Sequence, residues 1–131
     1  VGDNKNVFHV ANRASANHIA VEPFPDGLSM LTSQEINDRR NARIDGFLSE
    51  FEKATPPDPD TEDWTAWRAI LADGRTDASV GPSSAMCIAS DWGFGTVSST
   101  LLALPAPGAE DPSGIYLFAN GRPDHTEYEP V

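Results

Sequence analysis

Apolar and polar positions divide the chain into three stretches with different periods. Near the start, two β-leaning runs, Val7-Phe8-His9-Val10-Ala11 and His18-Ile19-Ala20-Val21, flank a polar segment over residues 12–17 that is rich in turn formers. This pattern predicts two strands joined as a hairpin. Glu22-Pro23-Phe24-Pro25-Asp26-Gly27 then interrupts the extended chain, because each proline removes a ladder donor and Asp-Gly favours a tight turn. Leu28-Ser29-Met30-Leu31 returns briefly to alternation.

The middle of the chain is helical in period. Ile36, Ile44, Phe47, Leu48 and Phe51 fall near one face, with Arg39, Arg40, Asp45, Glu50 and Glu52 mostly elsewhere. Two starts suit this helix: a capping box from Thr32 and Glu35, or Asp38 as N-cap after a loop. Gly46 inside it costs about 1 kcal/mol against Ala, so a close packing contact is expected there. Thr55-Pro56-Pro57-Asp58-Pro59-Asp60 forms a stiff linker too short to separate domains. A second helix, capped by Asp60 or Thr61 and stopped at Gly74, carries Trp64, Trp67 and Leu71 on one face. Tryptophans at that spacing are read as core rather than as a ligand box. A polar loop over residues 77–84 leads to three strands at 85–89, 96–104 and 115–119. Gly93-Phe94-Gly95 is the tight turn between the first two, and residues 105–114 form a longer loop.

The fold class expected from this order is α+β, an antiparallel sheet with two main helices, with residues 1–131 a single domain or the C-terminal part of a larger one. A length of 131 residues with 39% hydrophobic content supports one real core. The net charge of -11 is spread along the chain and reads as a solubilising surface, which excludes nucleic acid and anionic lipid as partners. One cysteine, Cys87, rules out an intramolecular disulfide or a Cys-based zinc cluster and suits a cytoplasmic setting. The start has no signal-peptide pattern, and no apolar run has membrane-spanning length, so membrane insertion is not expected. Val1 in place of an initiator Met suggests a longer natural product.

Few residues present catalytic chemistry. His9, His18 and His125 lack ligand spacing, so no metal site is expected. Cys87, between Met86 and Ile88, reads as a buried small hydrophobe rather than a nucleophile, and no catalytic residue is assigned. Gly95-Thr96-Val97-Ser98-Ser99-Thr100 lacks a nucleophile elbow, though hydroxyls on one side of a strand can line a pocket. Gly93-Phe94-Gly95 is too short for a phosphate loop, and Arg13 and Arg43 are candidate anion contacts with surface solvation as the simpler account. The candidate ligand-binding set is Arg13, Thr96, Ser98 and Ser99.

Several segments resemble, in order, the second half of bacterial NRDE-motif (transport and Golgi organisation) proteins. They are Phe24-Pro25-Asp26-Gly27-Leu28-Ser29-Met30-Leu31-Thr32, Asp63-Trp64-Thr65-Ala66-Trp67 with Leu71-Ala72-Asp73, Met86-Cys87-Ile88-Ala89, Gly93 through Leu101, and Leu117-Phe118-Ala119-Asn120-Gly121-Arg122-Pro123-Asp124. The resemblance runs from about Asp3 onward. It implies half of a four-layer αββα fold like that of N-terminal-nucleophile hydrolases, in which the mature first residue is the nucleophile and its own amine the base. Here Val1 bears no nucleophile, Asn12-Arg13-Ala14 is not the signature, and Val97 stands where many relatives carry Arg.

The resemblance therefore implies a fragment without activity alone. Its full protein would bind or traffic a small hydrophobic ligand such as haem or lipid. The alternative is an amide or acyl hydrolase whose catalytic Cys lies in the missing N-terminal half. A third reading is a scaffold half with no site of its own. Expected partners are the missing half on a second chain or a homodimer that covers open sheet edges, unless the sheet stands alone with its edges covered. No cofactor is assigned.

Overall fold

A computed structural model describes residues 1–13 and 16–131. The chain is α+β, but its strands form two separate antiparallel sheets rather than one. The first is the expected hairpin, β1 (Phe8–Asn12) with β2 (Ile19–Pro23), in the register Phe8↔Pro23, Val10↔Val21 and Asn12↔Ile19. The turn expected over residues 12–17 includes Ala14 and Ser15, which lie outside the described residues. Because cross-strand partners share a face, Phe8, Val10, Ile19 and Val21 lie together, and each is between 40% and 61% exposed.

Helix α1 (Ala42–Lys53) begins later than either expected start. The Asn41 Oδ1 accepts from the backbone N–H of Arg43 at 3.0 Å and of Ile44 at 3.3 Å, the work of an N-cap. Upstream, Asn37 sits at φ 57° and ties the chain back on itself: its Oδ1 accepts from the Met30 N–H at 2.7 Å, and its N–H donates to the Met30 carbonyl at 2.9 Å. That side-chain turn competes with helix and leaves Ile36 outside it. Ile44, Phe47, Leu48 and Phe51 form the buried face. Gly46 lies on the exposed side, and a Cβ there would meet nothing within 4 Å, so the packing contact expected of it is absent.

Helix α2 (Thr65–Leu71) starts from Trp64 as N-cap, not from Asp60 or Thr61, and just upstream the Asp63 Oδ1 accepts from the Thr65 N–H at 3.0 Å. Reciprocal backbone bonds of 2.9 Å between Asp58 and Asp63 close the linker into a turn that sets this start. Phe51 meets Trp67 edge to face at 5.2 Å and joins the two helices.

The apolar run at 85–89 is not a strand. Ala85, Cys87 and Ile88 are buried, but the Cys87 N–H donates to the Asp73 carbonyl and the Ile88 N–H to the Thr96 Oγ1, and only Ala89 bridges to Gly95. A short apolar run marks burial without fixing the backbone that achieves it. The second sheet follows in the order β3 (Ser99–Ala103), β4 (Ile115–Ala119), β5 (Glu129–Pro130). Strand β3 is shorter than expected, and β4 has the expected bounds. Leu101 and Ala119 are buried on its inner face, while Leu102 and Tyr116 pair on the outer one and stay exposed. Among the described residues no helix is long and apolar enough to cross a membrane.

Candidate functional site

Three segments meet to form an apolar groove of about 540 Å³. The turn after β2 supplies Phe24 and Leu28, the end of α1 supplies Phe51 and Ala54, and Trp67 of α2 closes the wall beside Pro56. Each part has a local cause. Gly27, at φ 81°, makes the turn that returns Leu28 toward the helices, and the Phe24 N–H donates to the Val7 carbonyl at 2.8 Å, anchoring the turn to the hairpin. The Ser29 Oγ accepts from the Asn37 Nδ2 at 3.2 Å, so the turn that delays α1 also fixes this wall. The edge-to-face pair with Phe51 limits the rotation of the Trp67 ring, whose buried Nε1 has no acceptor among the described residues. The walls are hydrocarbon and aromatic, with Ser29 and Glu52 as the polar residues on the lining. Such a groove holds an apolar body and offers little to catalysis.

None of the four sequence-predicted residues lines this groove. Arg13 forks onto Glu35 at 2.7 and 2.6 Å; the hydrogen bond with Glu35 holds the guanidinium pKa up and the carboxylate pKa down. The Thr96 hydroxyl accepts from the Ile88 N–H at 2.9 Å and supports the 88–96 turn. Ser98 is exposed, and the Ser99 Oγ accepts from the Tyr128 hydroxyl at 2.6 Å. Arg43 donates to the Ser83 carbonyl at 3.3 Å, and burial pushes its pKa down.

The thiol sits in a polar cluster that sequence spacing did not reveal. The Cys87 Sγ donates to the Asp124 Oδ1 at 3.4 Å, and Arg122 grips the same carboxylate, its Nε 3.0 Å from Oδ1. Burial, and then the Asp124 carboxylate, push the thiol pKa up, while Arg122 holds the Asp124 pKa below the usual carboxylate range. Cys87 is therefore a protonated, buried donor with none of the electropositive exposure of a reactive thiolate. Among the described residues no group of His, Cys, Asp and Glu is arranged to hold a metal ion.

Sequence reasoning reads Trp67 as core and misses the groove it closes, together with Phe24 and Leu28 as the opposite wall. The available signal was the Pro-Asp-Gly punctuation, which turns an apolar residue on each side toward the same place. No family model, curated protein or solved structure matches this chain.

Proposed function

We propose that this chain is part of a cytoplasmic NRDE-type protein that binds or moves a small hydrophobic ligand, and that the groove between Phe24, Leu28, Phe51 and Trp67 receives it. The observation that carries the reading is the groove itself, an open, aromatic-floored space of about 540 Å³ walled by three separate segments. The resemblance to that family supports it independently. Of the two ligands the resemblance implies, an acyl chain suits the lining better than haem. The walls supply no imidazole, thiol, thioether or phenol to ligate iron, and a haem held by axial ligation does not fit this donor set. The net charge of -11 favours a neutral headgroup over an anionic one. The cytoplasmic assignment rests on the single thiol, kept reduced and buried.

The hydrolase reading draws no support from Cys87, the chain's thiol, because burial and Asp124 keep it protonated. In that reading this half contributes walls alone.

The test is quenching of tryptophan emission by a monoacylglycerol whose acyl chain carries bromine at mid-length. Saturable quenching is expected, and Leu28→Glu, which puts a charge on the groove wall, should abolish it. Absence of quenching, or equal quenching in the variant, would exclude this groove as the binding place.

A further inference from the structure

A second cleft, of about 260 Å³, lies between the start of α2 and strands β4 and β5 of the C-terminal sheet. Trp64, Arg68, Leu117 and Tyr128 line it together with Ile115 and Pro130. Its walls are partly apolar, and two buried donors beside it have no acceptor among the described residues. Trp64 is 4% exposed, and its Nε1–H has no acceptor among the described residues. The Arg68 Nε is buried and equally without an acceptor, and the guanidinium enters none of the ion pairs among those residues. Elsewhere in this acidic chain Arg13, Arg40, Arg75 and Arg122 each grip a carboxylate at close range. Arg68 rests instead on the face of Tyr128, 4.9 Å from the ring centroid.

That stacking orients the charge. The Tyr128 hydroxyl is committed to the Ser99 Oγ at 2.6 Å, which fixes the ring and presents its face to Arg68. A guanidinium held over an aromatic face by its carbon keeps N–H groups free, and a pre-oriented fork loses little entropy when it binds a planar anion. The Trp64 Nε1 and Arg68 Nε are closed off from solvent, so the edge offered to a ligand in the cleft is the terminal one of the guanidinium. Glu62 also lines the cleft and opposes a dianion, while Ile115, Leu117 and Pro130 give a ligand body somewhere to pack.

We propose that the Trp64–Arg68–Tyr128 cleft is a binding site for a small monocarboxylate with a flat or apolar body, whose carboxylate meets Arg68 and whose body packs against Leu117 and Ile115. Ser99 serves here as a positioning residue that acts through Tyr128. This site is distinct from the groove at Trp67, and neither assignment depends on the other.

Nitrogen-15-labelled full chain titrated with phenylacetate, phenylacetamide and inorganic phosphate tests the assignment. The chain has three tryptophans and so three indole N–H signals, with that of Trp64 identified by its loss in Trp64→Phe. Phenylacetate should move the Trp64 signal saturably, and the amide and phosphate should leave it in place. Arg68→Gln should weaken phenylacetate binding about tenfold or more, and Ser99→Ala should weaken it less, by about two- to fivefold. The same spectra report whether each variant is folded, and the amide and phosphate arms read the native chain alone. A Trp64 signal that stays still with phenylacetate would overturn the proposal, as would equal shifts with the amide or phosphate. Unchanged affinity in folded Arg68→Gln would overturn it as well.

Discussion

β1–β2 and β3–β4 are both antiparallel ladders of five residue pairs, and both place aliphatic and aromatic side chains in neighbouring positions. Only the second has a buried face. Leu101 and Ala119 close over a core that includes Cys87, Ile88 and Trp64, whereas Phe8, Val10, Ile19 and Val21 share a face that nothing covers among the described residues. The difference does not lie in the strands. It lies in what other segments bring to them: Trp64 and Arg68 face Ile115 and Leu117 across a cleft, and the Ile88 N–H is tied to Thr96 just before β3, whereas none of the buried core residues belongs to the hairpin. Strand pairing is thus a local decision made by β-propensity and turn chemistry, and burial is a separate one made by long-range packing. A two-stranded ribbon alone is marginal in water, so the hairpin sits at the low-stability end of the molecule.

The comparison can be broken most directly by truncating one side chain in each ladder. Leu101→Ala should cost about 2–5 kcal/mol, the usual range for an emptied core position, and Val10→Ala under about 1 kcal/mol, both by urea denaturation. Equal costs would mean that the hairpin face is covered in solution.

A smaller effect should come from acid. Arg122 lowers the pKa of Asp124 from its ordinary 3.8, so the folded state holds this proton less tightly than the unfolded chain. The stability this contributes is fully present above the ordinary value and is lost as pH falls through the lowered one. Asp124→Asn should therefore lower the melting temperature at neutral pH and flatten its decline below pH 3.8, as followed by circular dichroism. Arg13 and Glu35 beside the hairpin make a similar pair on the surface, and Glu35→Gln should change the neutral-pH value less, because water screens that pair. A larger loss from Glu35→Gln would reverse the ranking of the two regions.

The smallest expected effect is a gain. Gly46 carries no packing role, so Gly46→Ala should stabilise α1 by about 0.5–1 kcal/mol in the same urea titration. A loss would restore the close contact that sequence reasoning expects there.

How much of this could be read from the residues depended on whether the signal was local. The apolar run over Ile115–Ala119 and the apolar face Ile44, Phe47, Leu48 and Phe51 are local, and the strand and the buried face of the helix stand where the pattern puts them. The start of α1 was hidden because Asn37 and Asn41 are both good turn and cap residues, and only the bond from Met30 to Asn37 decides between them. The 85–89 segment has strand-like composition, yet it is held by Asp73 and Thr96, partners 14 and 8 residues away from Cys87 and Ile88 respectively. The cleft at Arg68 was the least legible, since Trp64, Leu117 and Tyr128 come together only through the sheet order β3-β4-β5. Ser99 was legible as a residue of interest but not in its role, which depends on a tyrosine 29 positions away.

The bare hairpin face also has a colloidal consequence. At neutral pH a net charge of -11 keeps copies apart through like-charge repulsion, so an apolar patch can be carried without association. That protection is titratable while the patch is not. Near the isoelectric point of about 4.4 the repulsion vanishes and the hydrocarbon stays, so the solubility minimum of this chain is set by the same ribbon that contributes least to its fold.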